Sequence, residues 1–190
     1  MPKDVVVVVN IDAKPSGTEN LDILLLSTEG AKDVAVYRDL DVIKEEFTGK
    51  KVAAMAEALF EQGKTTLAET LIRKVKIAGI AAPSGSAETE KASALVEAVE
   101  TLRETDDDWY ILLTDQDGDE AVKALCAWAE ATEPTEAELG AGEEDHRKLY
   151  FGRTQNKSLA VTNRRSIVIY GDQAEEYPDA AYVGNVGPFY

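Results

Sequence analysis

Short uninterrupted apolar runs alternate along the chain with longer stretches in which apolar residues recur every three to four positions. The runs are too short for core helices, and several are rich in β-branched residues, so they predict strands. They are "DVVVVVNI" (4–11), "LDILLLST" (21–28), "KDVAVYRDL" (32–40), "TLIRKVKIAGIAA" (70–82), "DWYILLTD", "RKLYFGRT" and "SIVIYGD". The periodic stretches predict helices. "DLDVIKEEF" is short, with Asp39 or Asp41 as its cap. In "KKVAAMAEALFEQG", Val52, Met55, Ala56, Leu59 and Phe60 mark one buried face and Gly63 closes the helix. "SAETEKASALVEAVETLRET" opens at Ser84 or Ser86 and carries Leu95, Val99 and Leu102 on one stripe. "DEAVKALCAWAEAT" turns Val122, Leu125, Cys126 and Ala129 inward, and "YPDAAYVGNV" begins a final short helix with Pro178 in its first turn.

Strand and helix in alternation imply right-handed crossovers on a mostly parallel sheet. The expected fold is therefore α/β and three-layered, with helices on both faces and additional N-terminal strands. Residues 1–30 are expected to form N-terminal strands or an arm, and residues 31–190 the α/β domain. The stretch "EPTEAELGAGEED" (133–145) is acidic, contains proline and glycine, lacks an apolar stripe and reads as a surface loop. No internal repeat is present.

Composition narrows the chemistry. A chain of 190 residues, 44% apolar and 29% charged, suits one well-packed domain. The net charge of −16, from 36 acidic and 20 basic residues, repels a nucleic-acid backbone, and Arg164-Arg165 is too short a basic cluster to reverse that. Such acidity reads first as a solubility device. The single cysteine, Cys126, excludes an intramolecular disulfide and a thiolate zinc site, and it falls on an apolar helix face. The single histidine, His146, lies in "EEDHRK" and reads as a solvated loop residue, which disfavours serine–histidine and cysteine–histidine catalysis. The valine run is too short for a signal peptide or membrane span, so synthesis in the cytoplasm without export is expected and the sequon at Asn156 carries no meaning.

Candidate chemistry concentrates in "ILLTDQDGDEAVKAL", where Asp115, Asp117 and Asp119 surround Gly118 just after an apolar strand. A helix–loop–helix calcium site fails, because counting from Asp115 puts Glu120 where glycine is needed and Cys126 where the bidentate acid is needed. A Mg-dependent phosphatase of the haloacid-dehalogenase type fits better, with Asp115 as nucleophile and Asp117 as acid and base, although Asp119 stands where threonine or valine is expected. The simplest reading is that Asp117 or Asp119 caps the helix beginning near Glu120 and Asp115 only ends the strand. "GKTT" (63–66) lacks the upstream glycine of a phosphate loop, where Ala58 stands, and has the wrong flanking elements. Trp109 and Trp128 are expected to pack. Tyr150, Phe151, Tyr170, Tyr177, Tyr182, Phe189 and Tyr190 crowd the C-terminal fifth, marking it as a candidate contact surface.

In order, "DLDVIKEEF", "DDDWYILLTD" with its helix ending "AWAEA", and "IVIYGD…YPDAAYVG" resemble the contractile tail sheath proteins of bacteriophages and phage-like particles. The resemblance runs from about Val34 to the C-terminus and rests on packing signatures rather than on a catalytic box. It implies a structural, non-enzymatic subunit without cofactor or metal. Such a subunit would stack in hexameric rings around a tail tube above a baseplate, in a virion or phage-like particle. It further implies terminal arms that add strands to a neighbour's sheet. Val5, Val7, Val9, Tyr182, Phe189 and Tyr190 are then the interface candidates, while an ordinary internal strand remains the other reading of the valine run. Sheath proteins of this kind continue well past the tyrosine–proline segment into a C-terminal domain and arm. This sequence stops at "GPFY", so a shortened chain or a reduced family member is expected, in either case without that linkage. The alternatives to a sheath subunit are the phosphatase and a monomeric α/β interaction module.

Overall fold

A computed structural model describes residues 22–62, 74–133, 135, 147–172 and 176–186. The elements run β1 (Ile23–Ser27), β2 (Lys32–Tyr37), α1 (Leu40–Glu46), α2 (Lys51–Gln62), β3 (Val75–Gly79), α3 (Glu88–Thr105), β4 (Ile111–Thr114), α4 (Asp119–Ala131), β5 (Leu149–Thr154), β6 (Ser166–Tyr170) and α5 (Pro178–Val186). The strands form one sheet in the order β2-β3-β1-β4-β5-β6. Every pairing is parallel except that of the edge strand β2, which runs antiparallel to β3 with a bulge between Lys32 and Ala35. The expected three-layer, mostly parallel α/β fold is the fold observed.

Alternation along the central strands divides the core in two. Ile23 and Leu25 of β1, with Ile77, Ile111, Leu113 and Phe151, face a layer built from α1, α2 and α5 through Ile43, Met55, Leu59, Ala180 and Val183. Leu24 and Leu26 face the opposite layer, where Leu95 and Val99 of α3 meet Leu125, Cys126 and Ala129 of α4. The helical stripes read from spacing are these buried faces. Leu102 is the exception, being only partly buried against its cluster.

β1 lies between β3 and β4 and is buried along its whole length. The expected division at residue 30 therefore runs between two strands of one sheet, and β1 belongs with the α/β domain. The strand expected at 4–11, with Val5, Val7 and Val9, lies outside the described residues, as do "GKTT", His146, most of the acidic stretch, Phe189 and Tyr190. Two helix starts also differ from expectation. α3 has Ala87 as its N-cap. The cap bonds run in reverse, with the Ser86 N–H and hydroxyl donating to the Glu90 carboxylate at 2.7 and 2.8 Å. α4 starts at Asp119 with Gly118 in the cap position and no side-chain cap bond, so neither Asp117 nor Asp119 caps it.

The two ends of the expected "DDDWYILLTD" strand are fastened differently. At its amino end Asp106 pairs with Lys76 of β3 at 2.8 Å, and Asp107 pairs with Lys148 at 2.8 Å and with Arg103 at 3.1 Å. Trp109 stacks on Trp128, ring centres 6.2 Å apart, and the Lys148 ammonium sits 4.6 Å from the Trp109 ring centre. Both tryptophans are packing residues, as expected. Burial pulls the Lys148 pKa down, while Asp107 opposes that shift.

Two tight approaches make this packing testable. α5 crosses α2 so closely that a Cβ on Gly184 would run into the carbonyl oxygen of Leu59. Gly184→Ala is expected to lower unfolding stability by about 2–3 kcal/mol, read from urea denaturation, because the obstructing atom is backbone and cannot turn aside. The Tyr150 ring is fully buried, and its hydroxyl has no hydrogen-bond partner among the described residues. Tyr150→Phe is expected to raise the urea midpoint, by about 1 kcal/mol of stability, since it removes a desolvated polar atom without opening a cavity.

Candidate functional site

β1 and β4 are adjacent and parallel, but the chain leaves them in opposite directions. After β1 it turns to the edge strand β2 and then runs through α1 and α2 to β3, all on one side of β1, and after β4 it enters α4 and returns at β5 on the other side. In an open α/β sheet the crevice at the carboxyl ends of two such strands is the usual place for a ligand. The three aspartates of "TDQDGD" stand at this edge.

Asp115 fills the crevice itself. Its side chain is fully buried. The backbone N–H of Thr28 donates to Oδ2 at 2.8 Å and the Thr28 hydroxyl to Oδ1 at 2.8 Å. The Ser27 hydroxyl makes a longer contact to Oδ2 at 3.5 Å, and Gln116 Nε2 donates to Oδ1 at 3.3 Å. A carboxylate thus occupies the place where a bound anion would sit, held by one amide and by neighbouring hydroxyls. The expectation that Asp115 only ends its strand is too weak, since it ties the end of β4 to the end of β1.

Asp117 and Asp119 reach the other way. Gln155 Nε2 donates to Asp117 at 3.2 Å, and the Thr154 hydroxyl and Asn156 Nδ2 donate to Asp119 at 3.2 and 2.5 Å. Beneath them Arg153 of β5 donates to the carbonyls of Thr114 and Asp115 at 3.1 and 2.9 Å. The guanidinium lies 3.8 Å from Asp179 of α5 and 4.4 Å from the Tyr177 ring centre. β4 is therefore fastened to β1 on one side and to β5 on the other. Between Asp117, Gly118, Asp119 and residues Gln155, Asn156, Lys157 and Ser158 lies an open depression of about 490 Å³, whose carboxylates are taken up by these internal bonds.

Chemically this arrangement is committed to itself. A phosphoryl-attacking aspartate must present a lone pair to substrate, whereas both oxygens of Asp115 accept hydrogen bonds below the surface. Cys126 is buried, and burial raises its thiol pKa, the opposite of what a nucleophile needs. Among the described residues no group of three His, Cys, Asp or Glu converges to hold a metal ion. Likewise, no described helix is long and apolar enough to cross a membrane. Of the interface candidates, Tyr182 is the one within the described residues. It is exposed on α5, with its ring 6.0 Å from that of Phe151.

Three participants escape sequence reasoning: Thr28, Arg153 and Asp179. Thr28 carries no local signal. Arg153 and Asp179 do, because each is a charge set among apolar residues, in "LYFGRT" and "YPDAAY", and charges so placed are normally paired inside.

No family model matches the sequence, and no curated protein matches it. Among solved structures the chain is similar to a subunit in the cryo-EM structure of the anti-feeding prophage (AFP) helical sheath in its contracted state, with a TM-score of 0.52 and 10% sequence identity. The match covers 98% of this chain and 52% of that one, so this chain spans about half the length of the sheath subunit. At this identity the likeness is one of fold.

The clamp separates the two aspartates experimentally. Asp115→Asn puts an amide where four donors converge and is expected to cost about 2–3 kcal/mol in urea unfolding. Asp117→Asn, at a half-exposed position, is expected to stay within about 0.5 kcal/mol of the parent.

Proposed function

We propose that the chain is a structural subunit of a phage-type contractile tail sheath, self-assembling in rings around a tail tube above a baseplate. Its fold-level similarity to the AFP sheath subunit supports this, as does the order of the sheath-like signatures from Val34 onward. The observation that carries it furthest is the crevice of the sheet, where a ligand-binding α/β protein would keep space and this chain places its own Asp115.

Self-assembly also needs an outward surface, and the two sheet edges differ in this respect. β2 carries Lys32, Asp33 and a bulge, with Arg38 directly after it, the usual protections against edge-to-edge pairing. β6, "SIVIY", carries no charge, pairs with β5 alone among the described strands, and exposes Ile167 by 40% and Tyr170 by 41%. Ile167 lies opposite Phe151 in the register, on the face covered by α5, where Tyr182 is 38% exposed. This edge and the adjoining α5 surface are the proposed contact between subunits.

Electron microscopy of the purified protein tests the reading. Rings or tubes are expected, and Ile167→Lys is expected to leave dispersed particles with unchanged circular dichroism. Dispersed protein at every concentration would count against it. So would Mg²⁺-dependent hydrolysis of a phosphate ester that Asp117→Asn abolishes.

A further inference from the structure

Asp179 is the least comfortably placed charge among the described residues. It stands in the first turn of α5, fully buried, and among the described residues no side chain hydrogen-bonds either carboxylate oxygen, only the backbone N–H groups of its own turn lying close enough to favour the charge. Its one close cation, Arg153, approaches to 3.8 Å but directs its hydrogen bonds to the carbonyls of Thr114 and Asp115, leaving its own Nε unpartnered. A buried pair 3.8 Å apart with no hydrogen bond between its members recovers little of its desolvation cost. The other ionisable groups around it offer no rescue. Tyr150 of β5 and Tyr177 ahead of α5 are neutral phenols whose pKa values burial raises further. Asp117 opposes the charge of Asp179, and Asp115 and Glu29 face Tyr177 with the same sign. β6 carries no charged side chain, and α2 turns Ala56, Leu59 and Phe60 to the cluster that holds Ala180 and Val183.

We propose that Asp179 is a proton-operated latch for α5: protonated, it lets the helix seat fully against β5 and α2, and ionised, it loosens that seat. The geometry assigns it this role because α5 is held at its far end by the close approach of Gly184 to Leu59, while its first turn rests on the buried, poorly paired Asp179 beside Arg153. The inference does not depend on the assembly reading. It bears on it only because α5 carries Tyr182.

Desolvation raises the Asp179 pKa from 3.8 to about 6, while Arg153 and the backbone N–H groups of Ala180 and Asp179 pull the other way. A folded-state value above the unfolded one means that the folded chain takes up a proton as pH falls. Stability is therefore gained as pH drops through about 6, is complete below the unfolded value of 3.8, and is lost as pH rises through about 6.

The test is hydrogen exchange of the α5 amides at pH 7.5 and 5.0, corrected for intrinsic rates. Protection in the parent protein is expected to rise about tenfold at the lower pH. Asp179→Asn is expected to be protected at pH 7.5 as the parent is at pH 5.0, with little further change, since Arg153 keeps its bonds to the two carbonyls. An equal pH response in Asp179→Asn, or protection that falls with pH in the parent, would overturn the proposal. If the variant does not fold, carboxyl-carbon NMR of the parent decides, with a midpoint near 6 expected for Asp179. A midpoint in the ordinary carboxylate range would overturn it equally.

Discussion

The carboxylate of Asp115, buried between the ends of β1 and β4, sets the terms for the rest of the molecule. These strands are neighbours in space, but their chains depart toward opposite edges of the sheet, to β2 and β3 on one side and to β5 on the other. A crevice results from topology alone. In many α/β proteins a ligand closes it, whereas here the Thr28 amide and hydroxyl converge on a side chain from the partner strand. A buried carboxylate would be ruinous without donors, and with them it becomes a directional tie. Arg153 extends the tie to β5 by gripping the carbonyls on either side of the bend into α4.

How much of this was legible depends on the range of each interaction. The helical stripes on α2 and α4 and the apolar runs of β1 and β4 are local patterns, and burial follows them closely. Helix starts were less secure. At α4 the acids expected to cap the helix instead bond the loop after β5, because donors from Thr154, Gln155 and Asn156 compete successfully for them. The clamp itself could not be read, since Thr28 and Asp115 are 87 residues apart and nothing in "LSTEG" marks Thr28 as a donor. Arg153 and Asp179 carry a signal that the sequence reading passed over, each being a charge set among apolar residues and each buried in the fold.

The same aspartates that suggested a phosphatase box thus account for its absence of working geometry. A nucleophile needs solvent-side access and a free lone pair. Asp115 spends both on cohesion. "DDDWYILLTD" acts as a fastening strip, with acids at its amino end bound to Lys76, Lys148 and Arg103 and the acid at its carboxyl end bound to Thr28. Such a strip ties the central strand to its neighbours at both ends.

Charge decides where such a block could meet a copy of itself. At a net charge of −16, like subunits repel, and at physiological ionic strength that repulsion fades only beyond about 8 Å. Close approach therefore needs a surface free of acids that offers backbone hydrogen bonds and apolar area at short range. β2 fails this condition through Lys32, Asp33 and its bulge. The β6 strand itself carries no charge, with Ile167 on one face, Tyr170 on the other and Tyr182 of α5 alongside Phe151. On the proposed reading the net charge of −16 would work with assembly rather than against it, by penalising approaches that lack such an uncharged edge.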